Sequence, residues 1–283
     1  MLDRFHVKNF KSLTDVTIDL GLVNVFIGAN GSGKSNLLEA LGVLSAAASG
    51  SVNHESLRYR GVRPSMPELY KTLLKKFPDA LLVSFEARDA TARYSVSLQS
   101  PDDYYEGWQY YEEELSFEES NRFRRDDYPF QHLSSRRGMV ALKMAEVAPD
   151  TLVARLITGL QDYAIYSPNT QMLRGIEPDA QTRIPVGLAG GRLPLAVQEI
   201  LKYGLEDLVS LVNWVEQVDV AHIPEADSPL SLPERNILFR DLFMNSKKAH
   251  NIISTYDASE GILYLLFCTV LALHPRSEEH TSE

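Results

Sequence analysis

Cysteine is almost absent from this 283-residue chain: the single Cys268 excludes a disulfide framework and a cysteine-rich zinc site. It lies in an apolar run and reads as a small core residue in a reducing compartment. An excess of positive charge is also missing. The formal net charge is −10, so the molecule as a whole is not a basic nucleic-acid binder, and any such contact needs a local patch. Long apolar runs are lacking too. The longest, residues 262–273, is broken by Thr269 and falls short of the ~20 residues a membrane-crossing helix needs, so it reads as a buried helix. The first residues read as a strand bearing Asp3, Arg4, Lys8 and Lys11, not as a signal peptide. No H-E-x-x-H, paired Cys/His spacing or G-x-S-x-G turn occurs, which sets aside the common zinc-hydrolase and serine-nucleophile sites. Gly187, Gly190 and Gly191 read as a loop, not a dinucleotide fingerprint. Repeats and sustained heptads are absent. What remains is 44% hydrophobic and 23% charged, the composition of a soluble, cytoplasmic protein with a substantial core.

Periodicity supplies a coarse map. Leu2, Phe5 and Val7, then Val16, Ile18 and Leu20, predict two strands, the second half exposed. Residues 23–27 are nearly all apolar and β-branched, as expected of a central strand covered on both faces. Residues 36–44 predict a helix, and Ser65-Met66-Pro67-Glu68 fits a capping box ahead of a second helix over 69–74. Strands are expected over 80–87, 92–98, within 104–119, 237–243 and 251–255. Helices are expected over 195–203, 205–218 and the final apolar run. Residues 153–166 are ambiguous. Residues 121–138 read as a charged surface excursion.

The sharpest motif is GANGSGKSN, residues 28–36. Gly28, four intervening residues, then Gly33-Lys34-Ser35 match the P-loop pattern, between a predicted strand and a predicted helix. The glycines let consecutive backbone N–H groups turn inward as an anion nest. The helix that follows adds its positive dipole end. Lys34 then reaches the β- and γ-phosphates of a nucleotide, and the Ser35 hydroxyl ligates Mg²⁺.

The flanks narrow the class. HVKNFKSLTDVTIDLGLVNVFIGANGSGKSNLLEAL resembles the head domain of RecF/SMC-like ABC-type ATPases. There, a short antiparallel strand pair carrying N-F-[KR]-S precedes a G-x-N-G-x-G-K-S-N loop. The fold implied is α/β: a P-loop NTPase of ABC-ATPase type, with a mixed sheet core, an antiparallel β lobe and a helical insertion. The resemblance places Lys11 and Ser12 near the nucleotide, where an exposed turn is the plainer alternative. It assigns Gly28, Asn30, Gly31, Ser32, Gly33, Lys34, Ser35 and Asn36 to ATP and Mg²⁺. ASEGILYLLFCTVLALHP, residues 258–275, resembles the signature segment of the same family. Two heads close around ATP there, and Ser259, Glu260 and Gly261 would meet the triphosphate held by a second copy. An ordinary N-cap at Ser259 is the alternative. Ile262 and Tyr264 depart from the common pattern.

The family's next strand, ending in the Asp-Glu that supports Mg²⁺ and water, finds no counterpart, so no catalytic carboxylate is assigned. The head is expected over residues 1–275, incomplete and hydrolysis-deficient. Residues 276–283 are expected to be a non-native or disordered tail. RSEEHTSE reads as translated sequencing adapter, with the native gene continuing past His274 or Pro275. Arg58, Arg60, Arg63, Lys71, Lys75 and Lys76 form a basic stretch, read either as a DNA-facing patch or as a solvated face. Residues 102–119 are acidic and aromatic and read as an exposed insertion. Arg122, Arg124, Arg125, Arg136 and Arg137 read as a solvated loop. The expected function is ATP-driven head dimerisation coupled to DNA or partner engagement, in DNA repair or anti-phage defence. Alternatives are the ATPase part of an overcoming-lysogenization-defect nuclease with a Toprim domain, another P-loop kinase or GTPase, and a non-hydrolysing ATP-binding adaptor.

Overall fold

The computed structural model describes residues 2–74, 81–103, 106–117, 121–127, 130–177, 179, 183–202, 212–222, 235–244 and 251–273. Two compact units divide the chain, Met1–Ile165 and Tyr166–Glu283.

In the first unit, β1 (Arg4–Phe10) and β2 (Leu13–Asp19) form a hairpin whose tight turn places Lys11 at φ 49°. They join β3 (Val83–Arg88), β4 (Ala92–Gln99), β5 (Gln109–Phe117) and β6 (Asn121–Arg124) in an antiparallel sheet of order β2-β1-β3-β4-β5-β6. Strict alternation buries Phe5, Val7, Phe85, Ala87, Tyr94, Val96 and Leu98, while Glu86 and Arg93 pair at 2.7 Å where the sheet meets solvent. Two helices, α1 (Lys34–Ala48) and α4 (Leu152–Gln161), pack on each other and on the sheet. Short helices α2 (His54–Tyr59) and α3 (Met139–Lys143) close the layer.

The second unit holds α5 (Thr170–Leu173), α6 (Leu193–Lys202), the antiparallel sheet β7 (Val215–His222), β8 (Arg235–Asp241) and β9 (Ile252–Ser254), and α7 (Glu260–Leu273). Its core joins Val197, Ile200, Val218, Ile237 and Phe239 to Ile262, Leu266 and Phe267.

Several expectations are corrected. Residues 23–27 are not an interior strand. They join neither sheet, with Val23 84% and Ile27 91% exposed. The Asn24 side chain brackets Gly21 with two 2.9 Å bonds, fixing a loop where strand pairing would begin. The capping box at Ser65 does not form. Pro67 opens only a 3₁₀ turn, Pro67–Tyr70, and the chain is then drawn out straight, because Lys11 N–H donates to Tyr70 O and Thr72 N–H to Asn9 O. Of the helix expected over 205–218, residues 203–211 lie outside the described residues, and Val215 onward is strand β7, as its valines favour. The acidic segment is no exposed insertion, since Trp108, Tyr110, Glu113 and Leu115 are buried. The arginine loop is not wholly solvated, since Arg125 is buried and donates to the carbonyls of Ser134 and Arg137. Helix α7 buries only one side; Leu265 and Cys268 lie on its open side, so Cys268 is exposed and not a core residue. The tail beyond residue 273 lies outside the described residues.

Candidate nucleotide site

The loop expected to hold phosphate runs into α1 as its sequence requires. Gly31 and Gly33 adopt φ 84° and 94°, backbone that only glycine takes without strain. A Cβ on Gly33 would come within 3.1 Å of Ser12 Oγ, so a larger residue there would also press on that hydroxyl. No side chain caps α1 at Gly33, which leaves its first N–H groups facing outward, the arrangement that suits an anion. The Lys34 ammonium lies over the loop, donating to the carbonyls of Gly28 at 2.7 Å and Ala29 at 2.8 Å. Gly28, Asn30, Gly31, Ser32 and Ser35 are exposed, and Asn36 is half-buried. Asn36 Nδ2 donates to Ser12 Oγ at 2.8 Å, so the β1–β2 turn and the phosphate loop are joined by a hydrogen bond. Two left-handed glycines, an uncapped helix start, one lysine and one serine hydroxyl make a donor set that fits a nucleotide triphosphate and its Mg²⁺.

The Lys11 ammonium pairs with Glu39 of α1 and sits 4.9 Å from the Tyr70 ring centroid. Glu39 also accepts from Arg63 Nε. Burial works against the ionised carboxylate, but the hydrogen bonds from Arg63 and Lys11 outweigh it and hold its pKa below the usual value. Beside the loop, Lys11, Ser12, Asn36, Arg63, Leu69 and Lys71 line a cleft of about 490 Å³.

In the second unit, Ser259, Glu260 and Gly261 are all exposed at the start of α7. The turn before them is held by one local bond, Ala258 N–H donating to Ser254 O at 2.9 Å, and one to a neighbouring strand, Thr255 N–H donating to Asn236 Oδ1 at 3.2 Å. Arg174 reaches the Ala258 carbonyl at 3.1 Å.

The basic stretch is thinner than its sequence suggests. Arg60 is buried, donating to Ser45 Oγ and Ser49 Oγ, both at 2.6 Å, which removes it from any outward patch. Arg58 is exposed, Lys71 half-buried, and Lys75 and Lys76 lie outside the described residues. Sequence reasoning missed Glu39 altogether. Its only signal was an acid on the face of α1 that should have been apolar.

Comparison with known proteins places these features. The family described as "AAA domain, putative AbiEii toxin, Type IV TA system" matches residues 23–279. The DNA replication and repair protein RecF of Halothermothrix orenii is 33% identical over 99 residues, which are 34% of this chain and 25% of RecF. The chain thus spans about a quarter of the length of that relative. A solved SMC head bound to the C-winged helix domain of ScpA aligns over 95% of this chain and 76% of its own, at 14% identity and a TM-score of 0.45. The sequence resemblance to RecF-like ATPases is borne out by the family match and by the RecF alignment.

Proposed function

The chain belongs to the AAA domain family AAA_21, and from that premise we propose that it binds ATP with Mg²⁺ through residues 28–36 and is the head of a RecF/SMC-like ATPase. One observation carries the reading: α1 begins without a side-chain cap behind two left-handed glycines, with Lys34 lying across the opening. Phosphate oxygens take the place of the Gly28 and Ala29 carbonyls at the Lys34 ammonium, and the N–H groups of the helix start receive the rest of the charge. The Ser35 hydroxyl holds Mg²⁺, whose charge offsets that of the phosphates. Asn30 overlies the phosphates, and Ser12 supports the loop through Asn36.

Two heads then close on two nucleotides, the exposed Ser259 and Gly261 of one copy meeting the triphosphate of the other, with Glu260 beside them. RecF is by name a protein of DNA replication and repair. We carry that over as DNA or partner engagement in repair or in defence against phage, with the exposed Arg58 and the half-buried Lys71 as the basic contribution. Glu39, the carboxylate nearest the loop along the chain, is taken up by Lys11 and Arg63 and is not assigned to catalysis.

Calorimetric titration with Mg·ATP, followed by light scattering, tests the reading. Saturable binding is expected, weakened at least ~100-fold in Lys34→Ala, with the wild type, held at a concentration low enough to be monomeric without nucleotide, doubling in mass when ATP is bound. A wild-type protein with no affinity for ATP, or one that Lys34→Ala leaves unchanged, sinks the proposal.

A further inference from the structure

Glu39 has no part in the phosphate chemistry just described, yet it is the most deeply buried carboxylate beside the loop. Its side chain is 3% exposed in the second turn of α1. A charge so placed destabilises the fold unless it is fully paired. Its two partners differ. Lys11 is 13% exposed and confined between Glu39 and the Phe10 and Tyr70 rings. Arg63 is 65% exposed and gives Glu39 only its Nε. Among the described residues no hydrogen bond occupies the two Nη groups of Arg63, and Arg63 lines the cleft shared with Ser12, Asn36 and Lys71. A carboxylate fixed at Nε turns the guanidinium fork, leaving its paired outer donors for a bidentate anion. Lys11 holds the carboxylate in register from the other side.

We propose that Glu39 is a positioning residue that sets the Arg63 guanidinium at the rim of this cleft to take a phosphate of the nucleotide bound by the neighbouring loop. The inference rests on the ATP reading and adds a second cationic contact to it. Lys34 serves the phosphates from within the loop, and Arg63 serves them from the cleft. The buried carboxylate supplies orientation that an exposed arginine otherwise lacks.

Dissociation constants for Mg·ATP, measured by calorimetry on Arg63→Gln, Glu39→Gln, the double variant and Lys34→Ala, test it. Arg63→Gln is expected to weaken ATP about tenfold, as loss of a charge-assisted contact does. Glu39→Gln should cost a similar factor, and the double variant should be no worse than Arg63→Gln alone, because the carboxylate acts through the guanidinium. Losses that multiply in the double variant, or an effect of Glu39→Gln without one of Arg63→Gln, would make Glu39 merely structural and overturn the proposal. If Glu39→Gln does not fold, the exposed Arg63→Gln decides alone: an unchanged affinity overturns the proposal, and a tenfold loss supports it. ATP lost in Lys34→Ala but untouched in Arg63→Gln defeats this proposal and leaves the ATP reading standing. A wild type that binds no ATP defeats both.

Discussion

Glu39 and Glu113 are both buried in the first unit, and their surroundings hold their protons in opposite senses. At Glu113 burial dominates and pushes the carboxyl above its ordinary 4.5, although the N–H groups of Met139 at 2.5 Å and Val140 at 3.2 Å, the Tyr94 hydroxyl and Arg125 all favour the anion. At Glu39 the two cations win over burial and the carboxyl falls below 4.5. Linkage then fixes the signs. The stability Glu113 contributes is present below 4.5 and lost as pH rises through its higher folded value. The stability Glu39 contributes is present above 4.5 and lost as pH falls through its lower folded value. In thermal melts across pH, the melting temperature of Glu113→Gln should gain on the wild type as pH rises above 4.5. That of Glu39→Gln should lag at neutral pH and recover as pH falls below 4.5. Parallel profiles for the two variants would refute the assignment. Neither role was legible in the sequence. Lys34 and Ser35 announce themselves because their chemistry is set by neighbours within a few positions. Glu39, Glu113 and Arg60 acquire theirs from partners such as Lys11, Met139 and Gln161, far away along the chain.

Elements divide along the same line. The β1–β2 hairpin, β3, β4, α6 and the start of α7 follow from alternation or helical spacing, because each buries one face against its own unit. Residues 23–27 misled, because a β-branched apolar run reads as a strand whether or not a neighbour pairs with it. Helix α2 went unnoticed for the opposite reason: it is six residues long, and its start signal is Asn53 with Ser56, not the usual Glu or Gln. The Asn53 side chain accepts from Ser56 N–H at 2.8 Å while Asn53 N–H donates to Ser56 Oγ at 2.9 Å. That reciprocal cap holds a helix too short to persist alone. It also sets the position of Arg60, which ties α2 to α1 through Ser45 and Ser49. Asn53→Ala should cost about 1 kcal/mol in denaturant unfolding with ATP affinity unchanged, since among the described residues the side-chain bonds of the cap stay within Asn53 and Ser56. A drop in affinity matching that of Lys34→Ala would show that α2 supports the site directly.

At the scale of the whole molecule, net charge and surface pattern pull in different directions. A formal charge of −10 favours dispersed molecules. Leu22, Val23, Val25 and Ile27 nevertheless stand in solvent as one continuous stretch of the chain, and Leu22 and Phe26 border an apolar groove of about 410 Å³ formed with Leu38, Leu41, Leu156 and Tyr163. Among the described residues the backbone of residues 23–27 joins no sheet, so the stretch offers both N–H and C=O groups outside any ladder and uncovered side chains, the two features that drive edge-to-edge association. Each such side chain buried on contact stabilises an aggregate by roughly 1.5–3 kcal/mol, which general repulsion at physiological salt does not offset. The chain should therefore self-associate with rising concentration, without ATP and without a defined stoichiometry. Replacing Val25 and Ile27 together by Lys tests this cleanly, because it moves the net charge toward zero and so works against solubility except at the apolar stretch itself. Light scattering across a concentration series should show the double variant staying monodisperse where the wild type does not. Equal association of the two proteins would place the cause elsewhere on the surface and free residues 22–27 from blame.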